Sequence, residues 1–384
     1  MFQRKDRNRK KYLLLIPDGV ADRREDFQDG ETPLEKAKTE TLDTLASCGF
    51  LALAKTIPHN MDCGSDIGTM SVLGYDPKIY HKGRAPLEIA AKDIKIPDNC
   101  VVFRMNFVSV SDDNIMLDHS AGHISDKESY ELLELVKKTF ENERMKFYFG
   151  KSYRNYLVWV NGEDKIKTTP PHDIIGKNID EFLPTSEVLR KIMKESKNLL
   201  KHHRSAKMVW FWGQGRNTTL PLFKAKSCMV SAVDLVKGIG KLSGITVLDV
   251  PGVTGYIDTN FEGKVDAVCS ALEDDFEFGI IHIEATDETS HEGELSKKIK
   301  SIELFDEKVV RPVLERLSKY NLKILIYPDH RTPLKIRTHS NEPVPFLIYP
   351  SDNKKSTKKR FTENYAEQSK ILFRGTDVIK YFLK

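Results

Sequence analysis

The sequence predicts an α/β protein, a mostly parallel sheet sandwiched by helices and interrupted by a smaller inserted α+β domain. Three observations predict it. Short runs apolar on both faces recur along the chain, as a sheet covered on both sides requires. Two of these runs bracket a stretch of helical periodicity, the strand, helix, strand order of α/β folds. Between about 101 and 212 the pattern changes to alternation, the mark of strands with two unlike faces.

Taken in order, YLLLI at 12–16 is the first strand. It follows a basic start, MFQRKDRNRKK, that reads as a solvated tail, because the apolar run is too short for a leader segment and meets Pro17 and Asp18. In the middle of the chain, VVFRMNFVSVSD and YRNYLVWVNG read as alternating strands and DKESYELLELVKKTFEN as a helix. The α/β pattern resumes with CMVSAV at 228–233, ITVLDV at 245–250 and FGIIHIEA at 278–285. In LSKKIKSIELFDEKVVRPVLERLSKY, Ile299, Ile302, Phe305 and Val309 recur at helical spacing, and Val313 and Leu317 carry the stripe past Pro312. LKILIYPD at 322–329 and VPFLIY at 344–349 complete the strands, and the lysine-rich DNKKSTKKR at 352–360 reads as a solvated loop. The core is therefore expected in 1–98 and 217–384, with the insert at 99–216.

Composition narrows the partners. Sixty Lys and Arg against 56 Asp and Glu leave a net charge of +4, too balanced for a nucleic-acid or membrane surface, so a small substrate is expected. Five scattered cysteines without a C-x-x-C pair suggest neither a disulfide framework nor a zinc ribbon, and a cytoplasmic protein is expected. No apolar stretch approaches the length that crosses a bilayer. Oligomeric state is left open by the sequence.

Candidate ligands fall at the ends of predicted strands. Asp18 follows the first, Asp287 follows FGIIHIEA with His291 four residues on, and Asp329 with His330 closes LKILIYPD. In a parallel sheet those carboxyl ends share one rim, the usual place for a binding site. His339 can return to the same rim through a short loop. Asp287 and His291 share a face if a helical turn begins there, as two ligands of one ion require. With Ser65 included, seven oxygen and nitrogen donors suit two divalent cations, manganese foremost, with magnesium, zinc or cobalt as alternatives. Ser65, in DCGSDIGTMSVLGYDP, reads either as an N-cap or as a hydroxyl activated by a cation at a phosphate-binding helix start. VKGIGKLSG fails as a Walker loop, since Leu235 stands where its first glycine belongs, and no G-x-S-x-G surrounds Ser65.

Several ordered blocks, LIPDGVAD, GSDIGTMSVLGYDP, TPPHDIIGK, WFWGQGR, VPGVTGYIDTNFEGK, HIEATDETSHEGE and YPDHRTP with RTHS, resemble the archaeal-type cofactor-independent phosphoglycerate mutases of the alkaline phosphatase superfamily. The likeness spans nearly the whole chain. It implies an alkaline-phosphatase-like core with a substrate-binding lid for its insert. It further implies that Asp287, His291 and His339 hold one metal while Asp18, Ser65, Asp329 and His330 surround the other. Ser65 is implied to be the nucleophile that takes the phosphate of 3-phosphoglycerate and returns it to the other hydroxyl, with no added bisphosphoglycerate. Arg216 and His123, then His119, His172 and Arg104, are the candidates for gripping the substrate. The chain departs from the usual family pattern at Ile67, Gly68 and Thr69, and at His123, where arginine is common. Rival readings are a homoserine kinase-like enzyme, a metal-dependent phosphatase of another small phosphorylated substrate, and a noncatalytic module keeping the ligands. Against these stand the lack of a nucleotide loop and the presence of every ligand.

Overall fold

The computed structural model describes residues 10–350 and 358–384. The basic start at 1–9, and 352–357 of the lysine-rich stretch, lie outside the described residues. Two compact units form, one from the described parts of 1–81 and 220–384 and the other from 82–219. Along the chain the strands are β1 (Lys10–Pro17), β2 (Phe50–Lys55), β3 (Cys100–Val110), β4 (Met116–Asp118), β5 (Met145–Lys151), β6 (Arg154–Val160), β7 (Met208–Arg216), β8 (Ser227–Val230), β9 (Thr246–Val247), β10 (Phe278–Ile283), β11 (Asn321–Ile326), β12 (Val344–Pro350) and β13 (Leu372–Arg374).

The first unit holds an eight-stranded sheet in the order β13-β2-β12-β11-β1-β10-β8-β9. Its middle is parallel, with β1 between β10 and β11 and β8 beyond β10. Leu13 to Ile16 and every residue of β10 are buried, so both faces are covered, which is why these runs show no alternation. Leu13 and Leu15 join a core with Leu42 and Leu45 of the helix Glu40–Cys48, Val265 and Val268 of Phe261–Glu273, and Ile302 and Phe305 of Leu295–Phe305. β12 runs antiparallel to both β11 and β2, because only a loop joins it to β11 and a parallel neighbour needs a crossover helix. ITVLDV gives only a two-residue edge strand, Thr246–Val247.

Pro312 does not break the stripe. A π turn at Asp306–Val310 joins Leu295–Phe305 to the helix Arg311–Leu317, and the Arg311 N–H reaches back five residues to the Asp306 carbonyl. The wider turn accommodates an imino residue that lacks the next donor, so Ile302, Phe305, Val309, Val313 and Leu317 all stay buried.

The second unit is an antiparallel five-stranded sheet in which β3 pairs with β6 and β7, β5 lies outside β6, and β4 joins the end of β3. Alternate residues of β3 serve two cores. Val101, Phe103, Met105 and Phe107 pack with Leu132 and Val136 of the helix Asp126–Phe140 and with Leu189 and Met193 of Glu187–Leu199. Cys100 and Val102 pack with Ala85 and Ile89 of the helix Arg84–Ala90. That second core explains why residues 82–98, expected with the phosphatase-like core, belong instead to this unit. Among the described residues no helix is long and apolar enough to cross a membrane.

Candidate active site

All seven candidate ligands lie in the first unit, on the rim where β1, β10 and β11 end. Because β12 is antiparallel, its amino end meets that rim and brings His339 with it. β2 runs opposite to β12, so its carboxyl end leads through residues 56–64 to the helix Ser65–Val72. The cap of that helix is Gly64, and Ser65 is its first residue; its hydroxyl therefore makes no capping bond. Gly68 lets the helix press on the β11 loop, where a Cβ would stand 2.4 Å from the Asp329 carbonyl oxygen. Gly19, at φ +58°, turns the chain just after Asp18, and a Cβ there would lie 2.4 Å from Asp287 Oδ1.

Asp287 and His291 sit one turn apart on the helix Ala285–Glu292. His291 Nδ1–H donates to the Arg337 carbonyl at 2.9 Å and His339 Nδ1–H to the Cys63 carbonyl at 3.3 Å. Those bonds fix the tautomers and leave both Nε2 atoms facing each other at 3.1 Å. Asp287 Oδ2 lies 3.1 Å from the first and 3.6 Å from the second. Two lone pairs and a carboxylate so close demand a positive charge, and the hydrogen bond to Asp287 accordingly raises His291 to about 9. Burial opposes ionisation of His339, yet the Asp287 contact outweighs it and its pKa also rises.

The neighbouring cluster is more deeply buried. Thr332 Oγ1 donates to Asp287 Oδ1 at 2.5 Å, so it accepts from His330 Nδ1 at 3.2 Å. His330 Nε2 then faces Asp329 Oδ2 at 3.3 Å, Asp18 Oδ1 at 3.4 Å and Ser65 Oγ at 3.2 Å. Among the described residues, Asp18 Oδ1 and Asp329 Oδ2 are buried without a hydrogen-bond partner. Burial, then the charges of Asp329 and Asp287, holds the Asp18 carboxyl well above the usual range, and burial pushes His330 down. Orphaned carboxylate oxygens beside an imidazole lone pair are a donor set that fits a divalent cation. His330 stands within reach of both clusters, Asp18 with Asp329 and Asp287 with His339.

Sequence reasoning missed Thr332 and a buried polar group behind Asp18: His282, Glu284, Ser231 and Lys264. The signal was there in FGIIHIEA, where a histidine and a glutamate interrupt an otherwise apolar strand end.

The candidate substrate residues lie in the second unit. Arg104 is 6% exposed, with Nε 3.1 Å from Glu88 Oε2 and its guanidinium 4.2 Å above the Trp212 ring. His172 lies 5.3 Å from Trp212 and 5.9 Å from His119, ring to ring. Tyr153 contacts His119 and His123, and Arg154 stacks on Tyr153 at 4.8 Å. Arg104, His119, His123 and His172 are thus joined through two aromatic rings. Burial lowers the pKa of Arg104, His119 and His172. His123 adopts left-handed backbone at φ +53°, as do Ala121 and Gly122 before it, just ahead of the helix Asp126–Phe140. Arg216 stands apart, exposed and bonded to Asp164 at 2.6 and 3.1 Å.

Known proteins bear on this arrangement. A family model described as 2,3-bisphosphoglycerate-independent phosphoglycerate mutase matches residues 46–205. A protein of that name from Methanothrix thermoacetophila is 42% identical, over 97% of this chain and 99% of its own. Another from Methanosarcina barkeri is 40% identical over 97% and 99%. In structure, the PH0037 protein of Pyrococcus horikoshii superposes with a TM-score of 0.81 at 26% identity, covering 98% of this chain and 97% of that one. A cofactor-independent phosphoglycerate mutase from Thermoplasma acidophilum, at 23% identity and a TM-score of 0.65, shares the fold over 97% and 99%. The chain belongs to the 2,3-bisphosphoglycerate-independent phosphoglycerate mutases, a family of isomerases.

Proposed function

We propose that the protein interconverts 3-phosphoglycerate and 2-phosphoglycerate through a phosphoserine on Ser65, with two divalent cations and no bisphosphoglycerate. The observation that carries this reading is Ser65 Oγ at 3.2 Å from His330 Nε2, beside the two unpartnered oxygens of Asp18 and Asp329. Asp287, His291 and His339 would hold one cation, and Asp18, Ser65, Asp329 and His330 the other. Bound there, the cations supply charge neutralisation on the transferring phosphoryl group and a lowered serine pKa. Ser65 attacks phosphorus in line, and the substrate's alkoxide leaves as the phosphoserine forms. Glycerate then presents its other hydroxyl, whose oxygen takes the phosphoryl group back and frees Ser65. Water must be kept from the phosphoserine throughout, or the same residues release inorganic phosphate.

Arg104, His119, His123 and His172 are the groups we assign to the carboxylate and phosphate of the substrate. Support comes from their linkage through Trp212 and Tyr153, which holds cationic and hydrogen-bonding side chains in fixed rotamers. Arg216 is assigned a peripheral role in the same task. Manganese-loaded protein should convert 3-phosphoglycerate to 2-phosphoglycerate without added bisphosphoglycerate, and chelation should abolish it. Free phosphate recorded in parallel decides the rival: release without isomerisation would make the protein a phosphatase.

A further inference from the structure

Behind Asp18 lies a buried polar chain that the proposed chemistry does not use. His282, next to the end of β10, is wholly buried, as is Lys264 of the helix Phe261–Glu273; Glu284 is 2% exposed and Ser231 1%. His282 Nε2 lies 3.1 Å from Asp18 Oδ2. Its Nδ1 lies 3.0 Å from Glu284 Oε1 and 2.9 Å from Ser231 Oγ. Glu284 Oε1 also accepts from Ser231 Oγ at 3.0 Å and from the Ala232 N–H at 2.6 Å, while Oε2 accepts from Lys264 Nζ. Lys264 donates a further bond to the His282 carbonyl at 2.9 Å. Every side chain in this group is satisfied, which is what keeps so much charge tolerable in the core.

The two oxygens of Asp18 are treated differently. Oδ2 is held by the imidazole, whereas Oδ1 is without a hydrogen-bond partner among the described residues and points toward His330 Nε2 at 3.4 Å. A carboxylate free to rotate about its last bond would present either oxygen to an ion, or both. We infer that Lys264, Glu284 and His282 form a positioning relay that locks Asp18, so that Oδ1 alone is offered to a cation at the Asp18, Asp329 and His330 cluster. Lys264 and the Ala232 N–H fix Glu284, Glu284 fixes the ring of His282, and the ring fixes the carboxylate. Outer partners of this kind orient a ligand before the ion arrives and strengthen its binding. The relay acts on Asp18 and leaves Asp287, His291 and His339 alone.

This inference rests on the two-cation reading of the rim, and cation titrations separate the two ideas. Manganese binding to the full chain is followed by calorimetry and by the paramagnetic signal of the free ion, in the parent, His282→Asn and Glu284→Gln. The parent should take up two ions. His282→Asn should weaken one of them about 10- to 100-fold and leave the other at parent affinity. Adding His291→Ala to His282→Asn identifies which: only the weakened event should survive. A folded His282→Asn that keeps both affinities, or weakens both alike, overturns the relay while sparing the two-cation reading. A parent that binds fewer than two ions overturns both. Glu284→Gln keeps the volume and most hydrogen bonds, so it decides the matter should His282→Asn fail to fold. The same selective weakening is expected there, and parent-like binding refutes the relay.

Discussion

On the rim of the first unit three carboxylates, Asp18, Asp287 and Asp329, crowd together, whereas on the second unit one buried guanidinium, that of Arg104, lies 3.1 Å from Glu88 Oε2 and 4.2 Å over the Trp212 ring. On the rim several carboxylates share neighbouring histidines as counter-charge, whereas in the second unit a single guanidinium has a carboxylate of its own beside it. Burying several carboxylates together is costly, so the rim stores free energy that a cation of the proposed kind would release. Arg104 and its rings store little, since a stacked guanidinium is already near its final state and can meet an anion without rearranging. Binding at the rim should therefore change the stability of the protein, and substitution in the second unit should change turnover more than stability.

Removing the proposed nucleophile tests the rim most severely. Ser65→Ala should lower mutase turnover about 10⁴-fold or more, while calorimetry still counts two manganese ions. Turnover within tenfold of the parent would show that another group carries the phosphate. Asp18→Asn should reverse the stored cost: urea unfolding should find the cation-free variant more stable than the cation-free parent. In the parent, manganese at a hundred times its dissociation constant should add about 2.7 kcal/mol for each ion bound, and in Asp18→Asn the share of the ion at Asp18, Asp329 and His330 should vanish while the other remains. In the second unit, Arg104→Lys keeps the charge but loses the planar fork. Its kcat/KM should fall about tenfold to a hundredfold, the worth of a charge-assisted hydrogen bond or two, with cation binding untouched.

At His291 a proton and the proposed cation would compete for the same nitrogen. Its pKa in the cation-free fold is raised to about 9 by the Asp287 hydrogen bond, above the unfolded value of about 6.5. A raised histidine adds stability that is complete below 6.5 and is lost as pH climbs through 9. Cation-free protein should thus lose stability across that window in thermal melts, and manganese affinity should rise over the same interval as the proton leaves. His291→Ala should flatten both slopes; unchanged slopes would remove His291 from the first cluster. The smallest effect is expected at Arg216→Ala, where an exposed pair with Asp164 is lost. The melting temperature should stay put and KM should rise a few-fold, and an unaltered KM would take Arg216 out of the substrate site.

What the sequence disclosed follows the backbone. Asp18, Asp287, Asp329 and His330 were legible because parallel strands apolar on both faces must end on a common rim, and the acids stood at those ends. His339 was harder, since its return depends on β12 running antiparallel, a matter of loop length rather than residue type. The sorting of ligands into two groups came from family likeness and not from spacing. His282, Glu284 and Lys264 escaped because a polar residue in a buried strand is invisible to periodicity, and its partner on a distant helix more so. The edge of the second unit was placed too late along the chain, because Arg84–Ala90 is short and only Ala85 and Ile89 betray which sheet it covers.

The position of β1 in the sheet has a consequence for how the chain matures. Leu13 pairs with Gly279 on one side and Ile324 on the other, so the first strand precedes both its neighbours by most of the chain. A ribosome delivers the second unit, with its local β5 and β6 hairpin, long before β10 and β11 exist. Until then YLLLI is an apolar strand with two open edges, the kind of segment that chaperones shield, and Lys10 and Lys11 beside it discourage its pairing with other copies. The acidic rim is assembled only when that wait ends, so capture of the proposed cations would report on the completion of synthesis as well as on the fold.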